Sequence, residues 1–151
     1  MKIFLDTSSL FKLYHQEAGT EELEQVFSQV KVTHIYLSEI AKVEFTSTVW
    51  KKVRTKEISA KQANITLELF ENDFEKYNFV ATNSLILEQA RNLTTKYGID
   101  GLRTLDSIQL STCLSLANQI EVFYTADKLL KTYLKAKSYQ QNYLLVSNQV
   151  F

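Results

Sequence analysis

The stretch KIFLDTSSL, residues 2–10, sets the reading of the whole chain. Ile3, Phe4 and Leu5 run without interruption to an acid, Asp6, and then to the small hydroxylated residues Thr7, Ser8 and Ser9. A short continuous apolar run suits a strand buried on both faces, the kind a parallel sheet is built from. The acid at its end is either a loop or capping residue, or a group held at a ligand-facing edge of the sheet. One residue does not decide between these, so the rest of the chain must.

Working outward, helical patterns alternate with further short apolar runs. Helices are predicted over about Ser9 to His15 and Thr20 to Val30, with Thr20 as N-cap. HIYLS (34–38) reads as a strand, followed by a helix from Ser38 as N-cap to Arg54, carrying Ile40, Val43 and Trp50 on one side. Ser59 and Gln62 form a capping box that opens a helix through about Phe74. YNFVAT (77–82) is a third strand, and Asn83 to Tyr97 a helix closed by Gly98 as C′ residue. After a loop at 98–104, Thr104 is expected to cap a helix to about Asn118. EVFYTAD (121–127) is a strand that again ends on an acid, Asp127 to Lys135 a short helix, and NYLLVS (142–147) the last strand. Strands alternating with helices predict an α/β fold: a three-layer α/β/α sandwich around a mostly parallel sheet of four to five strands.

Composition narrows the function classes. A chain of 151 residues is the length of one domain, taken here as 1–151. Lys+Arg and Asp+Glu both number 17, so bulk charge does not point to nucleic acid or to a membrane. The single cysteine, Cys113, excludes a disulfide framework or a multi-cysteine zinc site within the chain and reads as a small buried hydrophobe. No signal peptide or membrane span is expected, which suits a cytoplasmic protein.

The acids carry the chemistry. In an open parallel sheet ligands sit at the carboxyl ends of the strands, and Asp6 and Asp127 both fall there. Asp106 precedes Leu110, Cys113, Leu114 and Ala117 at helical spacing, on the stripe that should face the sheet. Glu44 lies beside the apolar stripe of its own helix. Carboxylates at such positions are costly unless paired or bound to a cation, and no basic residue has an obvious claim on them. Acids without His or Cys companions favour a hard ion such as Mg2+ or Mn2+, and metal-assisted phosphodiester hydrolysis suits such a site.

FLDTSSLFKLY with Asp6, LSEIAKVEF with Glu44, RTLDSIQLSTCL with Asp106 and VFYTADKLL with Asp127 together resemble the four acidic motifs of PIN domains, in particular VapC-type toxins of toxin–antitoxin pairs. Glu39 competes with Glu44 for the second motif, but its place in the first helical turn fits a capping role. The resemblance implies a Mg2+- or Mn2+-dependent endoribonuclease that dimerises and is inhibited by a small cognate antitoxin. It implies Asp6 and Asp106 as primary metal ligands, completed by Glu44 and Asp127. Thr125 matches the hydroxyl residue two positions before the last acid, and Ser8 either turns the chain or reaches the ligand.

Among the basic residues, Arg103 and Lys128 adjoin site acids and are candidates for RNA contact, whereas KKVRTK (51–56) reads as a solvated face. His15 and His34 lack metal-ligand spacing. A haloacid-dehalogenase phosphatase would need a second Asp where Ser8 stands, and a response-regulator receiver an Asp ending the third strand, where VATNS has none. Two readings stay beside the toxin: a housekeeping RNA-processing nuclease, and a catalytically silent PIN-like RNA-binding or interaction module. Retention of all four acids favours an enzyme.

Overall fold

In the computed structural model, residues 1–133 and the strand residues 145–146 are described. The elements are β1 (Lys2–Leu5), α1 (Thr7–Phe11), α2 (Thr20–Gln29), β2 (His34–Ser38), α3 (Ala41–Arg54), α4 (Ala60–Asn72), β3 (Tyr77–Val80), α5 (Ser84–Tyr97), α6 (Thr104–Ser115), β4 (Val122–Tyr124) and β5 (Leu145–Val146). Residues 128–133 are helical and are called α7. All four strand pairings are parallel, and the sheet runs β3-β2-β1-β4-β5.

The alternation of side chains along β1 and β4 builds two cores. Ile3 and Leu5 of β1, with Val122 and Tyr124 of β4, join Leu10, Leu23, Phe45, Val49 and Phe70 from α1–α4. Phe4 and Phe123 point the other way and join Leu93, Leu110, Cys113 and Leu130 from α5, α6 and α7. Successive strand residues alternate faces, so a run apolar at every position can be buried only between two helical layers. The expected α/β/α sandwich on a parallel sheet is what forms. Cys113 is fully buried, and burial, with the Asp6 charge behind it, pushes its thiol far above the ordinary range.

The order of strands positions the site. From β1 the chain steps through α1 and α2 to β2, and through α3 and α4 to β3, on one side. It then returns through α5 and α6 to β4, on the other side of β1. The carboxyl ends of β1 and β4 therefore flank the point where the winding reverses, the usual crevice for a ligand in an open sheet.

Several expected boundaries shift, each for a local reason. The first helix begins at Thr7, not Ser9, because Asp6 is its N-cap and accepts the Ser9 amide at 2.8 Å. Gly19 caps α2 instead of Thr20, whose hydroxyl accepts the Glu17 amide at 3.0 Å. Ser38 caps nothing: it ends β2, fully buried, with its hydroxyl 3.2 Å from that of Thr112. Helix α3 starts at Ala41, and Glu39 stands before it, 3.7 Å from Lys42. The buried stripe of α3 is Ala41, Phe45 and Val49, while Val43 is 73% exposed and Trp50 lies at the surface. The capping box at Ser59 and Gln62 forms as expected, and α4 ends at Asn72, before a separate 3-10 turn at Phe74–Lys76. β3 stops at Val80. Gly98 has helical φ of −62° and leads into a 3-10 turn; the left-handed glycine is Gly101, with φ of 102°. Arg103 occupies the N-cap position of α6 without a side-chain bond, and the helix ends at Ser115, short of Asn118. β4 spans only Val122–Tyr124, which leaves Asp127 in the loop beyond it. The last turn expected for the helix to Lys135 and most of the strand expected at 142–147 lie outside the described residues.

Candidate active site

Asp6 is placed by the end of β1 and held by a dense set of donors. Ser8 Oγ lies 2.7 and 2.8 Å from its two oxygens, and Thr125 Oγ1 donates to Oδ2 at 2.5 Å. These two hydroxyls also tie β1 to the loop after β4. Ser8 Oγ accepts the Ala126 amide at 3.0 Å, and Thr125 Oγ1 accepts that of Asp127 at 2.9 Å. Asp6 is 3% exposed. Burial pushes its pKa up to about 6, against the pull of the hydrogen bonds from Thr125, Ser8 and Ser9.

Asp127 accepts the amides of Leu129 and Leu130 at 2.7 and 3.1 Å and so caps α7. Asp106 stands partly buried in the first turn of α6. Its pKa is raised, first by burial and then by the negative charges of Asp127 and Glu44; the Arg103 backbone and guanidinium act the other way. Glu44, in the first turn of α3, accepts Thr7 Oγ1 at 2.6 Å and Gln109 Nε2 at 2.5 Å.

All four acids line one cavity of about 300 Å3 at the carboxyl ends of β1 and β4. A second cavity, of about 620 Å3, shares Glu44, Asp106 and Asp127 and is continued by Arg103, Leu105 and Leu129. Arg103 is thus beside the acids, while Lys128 is exposed and lines neither cavity. The neighbours Thr7, Gln109 and Glu17 also wall the first cavity, and none of the three was expected from the sequence. Gln109 left one trace there: it follows Asp106 by three positions, next to the stripe of Leu110 and Cys113.

Glu17 shows how an acid is neutralised in this neighbourhood. It pairs with the buried Lys12 at 2.9 Å and with Lys52 at 3.6 Å. Among the described residues no ion pair reaches Asp6, Glu44, Asp106 or Asp127. At Asp106 the charges of Asp127 and Glu44 add to burial in raising the carboxyl's pKa.

The donor set fits a hard divalent ion in chemistry and charge, since it offers carboxylate oxygens without competing imidazole or thiolate. It is not a preformed cage: among the described residues no three His, Cys, Asp or Glu side chains stand close enough to hold an ion between them. Mg2+ does not require one, because it keeps several waters and takes only one or two carboxylates directly.

The PIN-domain family model matches residues 3–134. No curated protein matches the sequence. Among solved structures, FitAcB from Neisseria gonorrhoeae is similar with a TM-score of 0.70 at 15% identity, over 97% of this chain and 96% of that one. Mycobacterium tuberculosis VapC20, described as a sarcin-ricin loop cleaving toxin, follows with a TM-score of 0.67 at 14% identity, over 87% and 94%. VapBC-1 from nontypeable Haemophilus influenzae has a TM-score of 0.61 at 18% identity, over 90% and 94%. At such identities the likeness is one of fold.

Proposed function

The chain belongs to the PIN-domain family, and from that premise we propose that it is a metal-dependent endoribonuclease acting as the toxin of a toxin–antitoxin pair. The observation that carries the reading is the single cavity walled by Asp6, Glu44, Asp106 and Asp127 where the sheet winding reverses. The sarcin-ricin loop cleaving toxin that shares the fold supports the biological role.

Asp6 and Asp106 would hold Mg2+ or Mn2+, with Glu44 and Asp127 completing the site. Such an ion supplies Lewis acidity toward a phosphate and makes a nearby water easier to deprotonate. The protein's own part is to place and orient. Ser8 and Thr125 fix both oxygens of Asp6, and the α7 amides fix Asp127 Oδ1. Glu44 and Asp127 would help to activate the attacking water, directly or through metal-bound water. Arg103, at the rim of the larger cavity, meets the RNA backbone, and the exposed Lys128 meets it farther out.

A small antitoxin occludes this mouth in the resting cell, and the working unit is a homodimer in the cytoplasm. No helix among the described residues is long and apolar enough to cross a membrane. Purified protein should cut RNA with Mg2+ or Mn2+, its expression should arrest growth, and a small antitoxin encoded beside it should relieve that arrest. Cleavage without toxicity or such a neighbour would favour the housekeeping nuclease, and no cleavage with intact RNA binding the silent module.

A further inference from the structure

Gln109 sits in the second turn of α6 and is 2% exposed. Its Nε2 donates to Glu44 Oε2 at 2.5 Å and to Thr7 Oγ1 at 2.9 Å. Thr7 Oγ1 in turn donates to the same Glu44 oxygen at 2.6 Å. The Thr7 hydroxyl gives its proton to Glu44, and the Gln109 amide donates to both Glu44 and Thr7. Two donors from separate helices thus converge on Oε2, and among the described residues no hydrogen bond ends on Glu44 Oε1.

The arrangement carries a cost. Gln109 Oε1 is buried without a hydrogen-bond partner in the protein, and a buried polar atom left unpartnered is costly. A methionine would fill the same length of side chain without that loss. A buried amide kept at such a cost, with its Nε2 turned to Glu44 and to the group that also binds Glu44, is placed for what it does to that carboxylate.

We infer that Thr7 and Gln109 are a pair of positioning residues that pin Oε2 of Glu44 and leave Oε1 as the oxygen free to meet a ligand in the cavity. This rests on the metal-dependent reading above. The pair makes Glu44 a one-oxygen donor of fixed direction, as the partners of metal-ligating carboxylates do elsewhere. It also joins α1, α3 and α6 around the cavity, so the position of Glu44 relative to Asp6 and Asp106 is set by two short contacts instead of by a free side chain.

The test compares Gln109→Met, Thr7→Val and Thr7→Ser in the full chain. The readouts are Mn2+ affinity by calorimetric titration, thermal midpoint without metal, and kcat and KM on RNA. Gln109→Met and Thr7→Val should each weaken Mn2+ binding and lower kcat about 10–100-fold, the usual cost of losing a group that orients a ligand. Their thermal midpoints should stay within a few degrees of the parent, and KM should hold. Thr7→Ser, which keeps the hydroxyl, should behave like the parent, and the double variant should lose little more than either single one. Parental Mn2+ affinity and kcat in Gln109→Met would overturn the inference. So would losses that follow a lowered thermal midpoint and are not spared by Thr7→Ser, since that describes a purely structural contact. An unmutated chain that neither takes up Mn2+ nor cuts RNA is a different result: it removes the functional reading, and this role with it.

Discussion

Thr125 Oγ1 donates to Asp6 Oδ2 at 2.5 Å, joining residues 119 positions apart across the ends of the two central strands. The same hydroxyl accepts the Asp127 amide. One side chain therefore sets both the direction of the first acid and the path of the loop that carries the last. Thr125→Val should remove both contacts at almost constant volume. Expected is a loss of about 1–3 kcal/mol in urea unfolding, because a buried carboxylate oxygen and an amide each lose a partner. Thr125→Ser, with the hydroxyl retained, should recover most of it.

Asp6 itself should destabilise the metal-free fold at neutral pH. Its carboxyl has a pKa of about 6 when folded and an ordinary value of 3.8, so the folded chain holds the proton more tightly than the unfolded one. The stability tied to that proton is complete below the unfolded value and is lost as pH rises through the folded one. The full cost of ionising it is on the order of 3 kcal/mol. Asp6→Asn keeps the cap to Ser9, and its amide can donate to the Ser8 and Thr125 hydroxyls. In the absence of divalent ions the variant should therefore be the more stable protein at about pH 8, and the gain should shrink by about 2 kcal/mol on moving to about pH 4.5. Thermal unfolding of both proteins across that range measures the difference; a gain independent of pH would mean that burial of the charge is not its source.

The two glycines that flank the 3-10 turn before α6 should respond in opposite senses. Gly101 has φ of 102°, and a Cβ there would stand 3.4 Å from Leu129 Cδ1. Gly101→Ala should cost roughly 1–2 kcal/mol from the left-handed backbone alone. Gly98 is already helical, and a Cβ would meet nothing nearer than Thr94 Cγ2 at 3.7 Å. Gly98→Ala should stabilise by about 0.4–1 kcal/mol, through the unfolded chain. Chemical denaturation of the pair checks both signs.

What could be read from the sequence, and what could not, divides along local and non-local lines. Short apolar runs alternating with helices were enough to predict a doubly covered parallel sheet, and the Ser59–Gln62 box depends on residues three apart. The acids were visible because each breaks an apolar pattern at its own position. Ser38 was misjudged because a serine before a helix is a good cap in isolation, and its engagement with Thr112 comes from the far side of the chain. Spacing puts Ile40, Val43 and Trp50 on one side of α3, whereas the buried residues are Phe45 and Val49; both sets are helical in period, and only the sheet decides between them. Gly98 and Gly101 are equally able to turn left-handed, and the intervening 3-10 turn selects the second. The hold of Thr7 and Gln109 on Glu44 links three helices and had no periodic signal at all.

The most direct measurement is cleavage of total RNA by the purified chain, with ends mapped, in chelator and then with added Mg2+ or Mn2+. It should be run beside Asp106→Asn protein shown to be folded by its thermal midpoint. Cleavage at defined sites is expected only with the divalent ion and only in the unmutated protein. Equal cleavage in chelator, or undiminished cleavage by folded Asp106→Asn, would contradict a nuclease built on these four carboxylates.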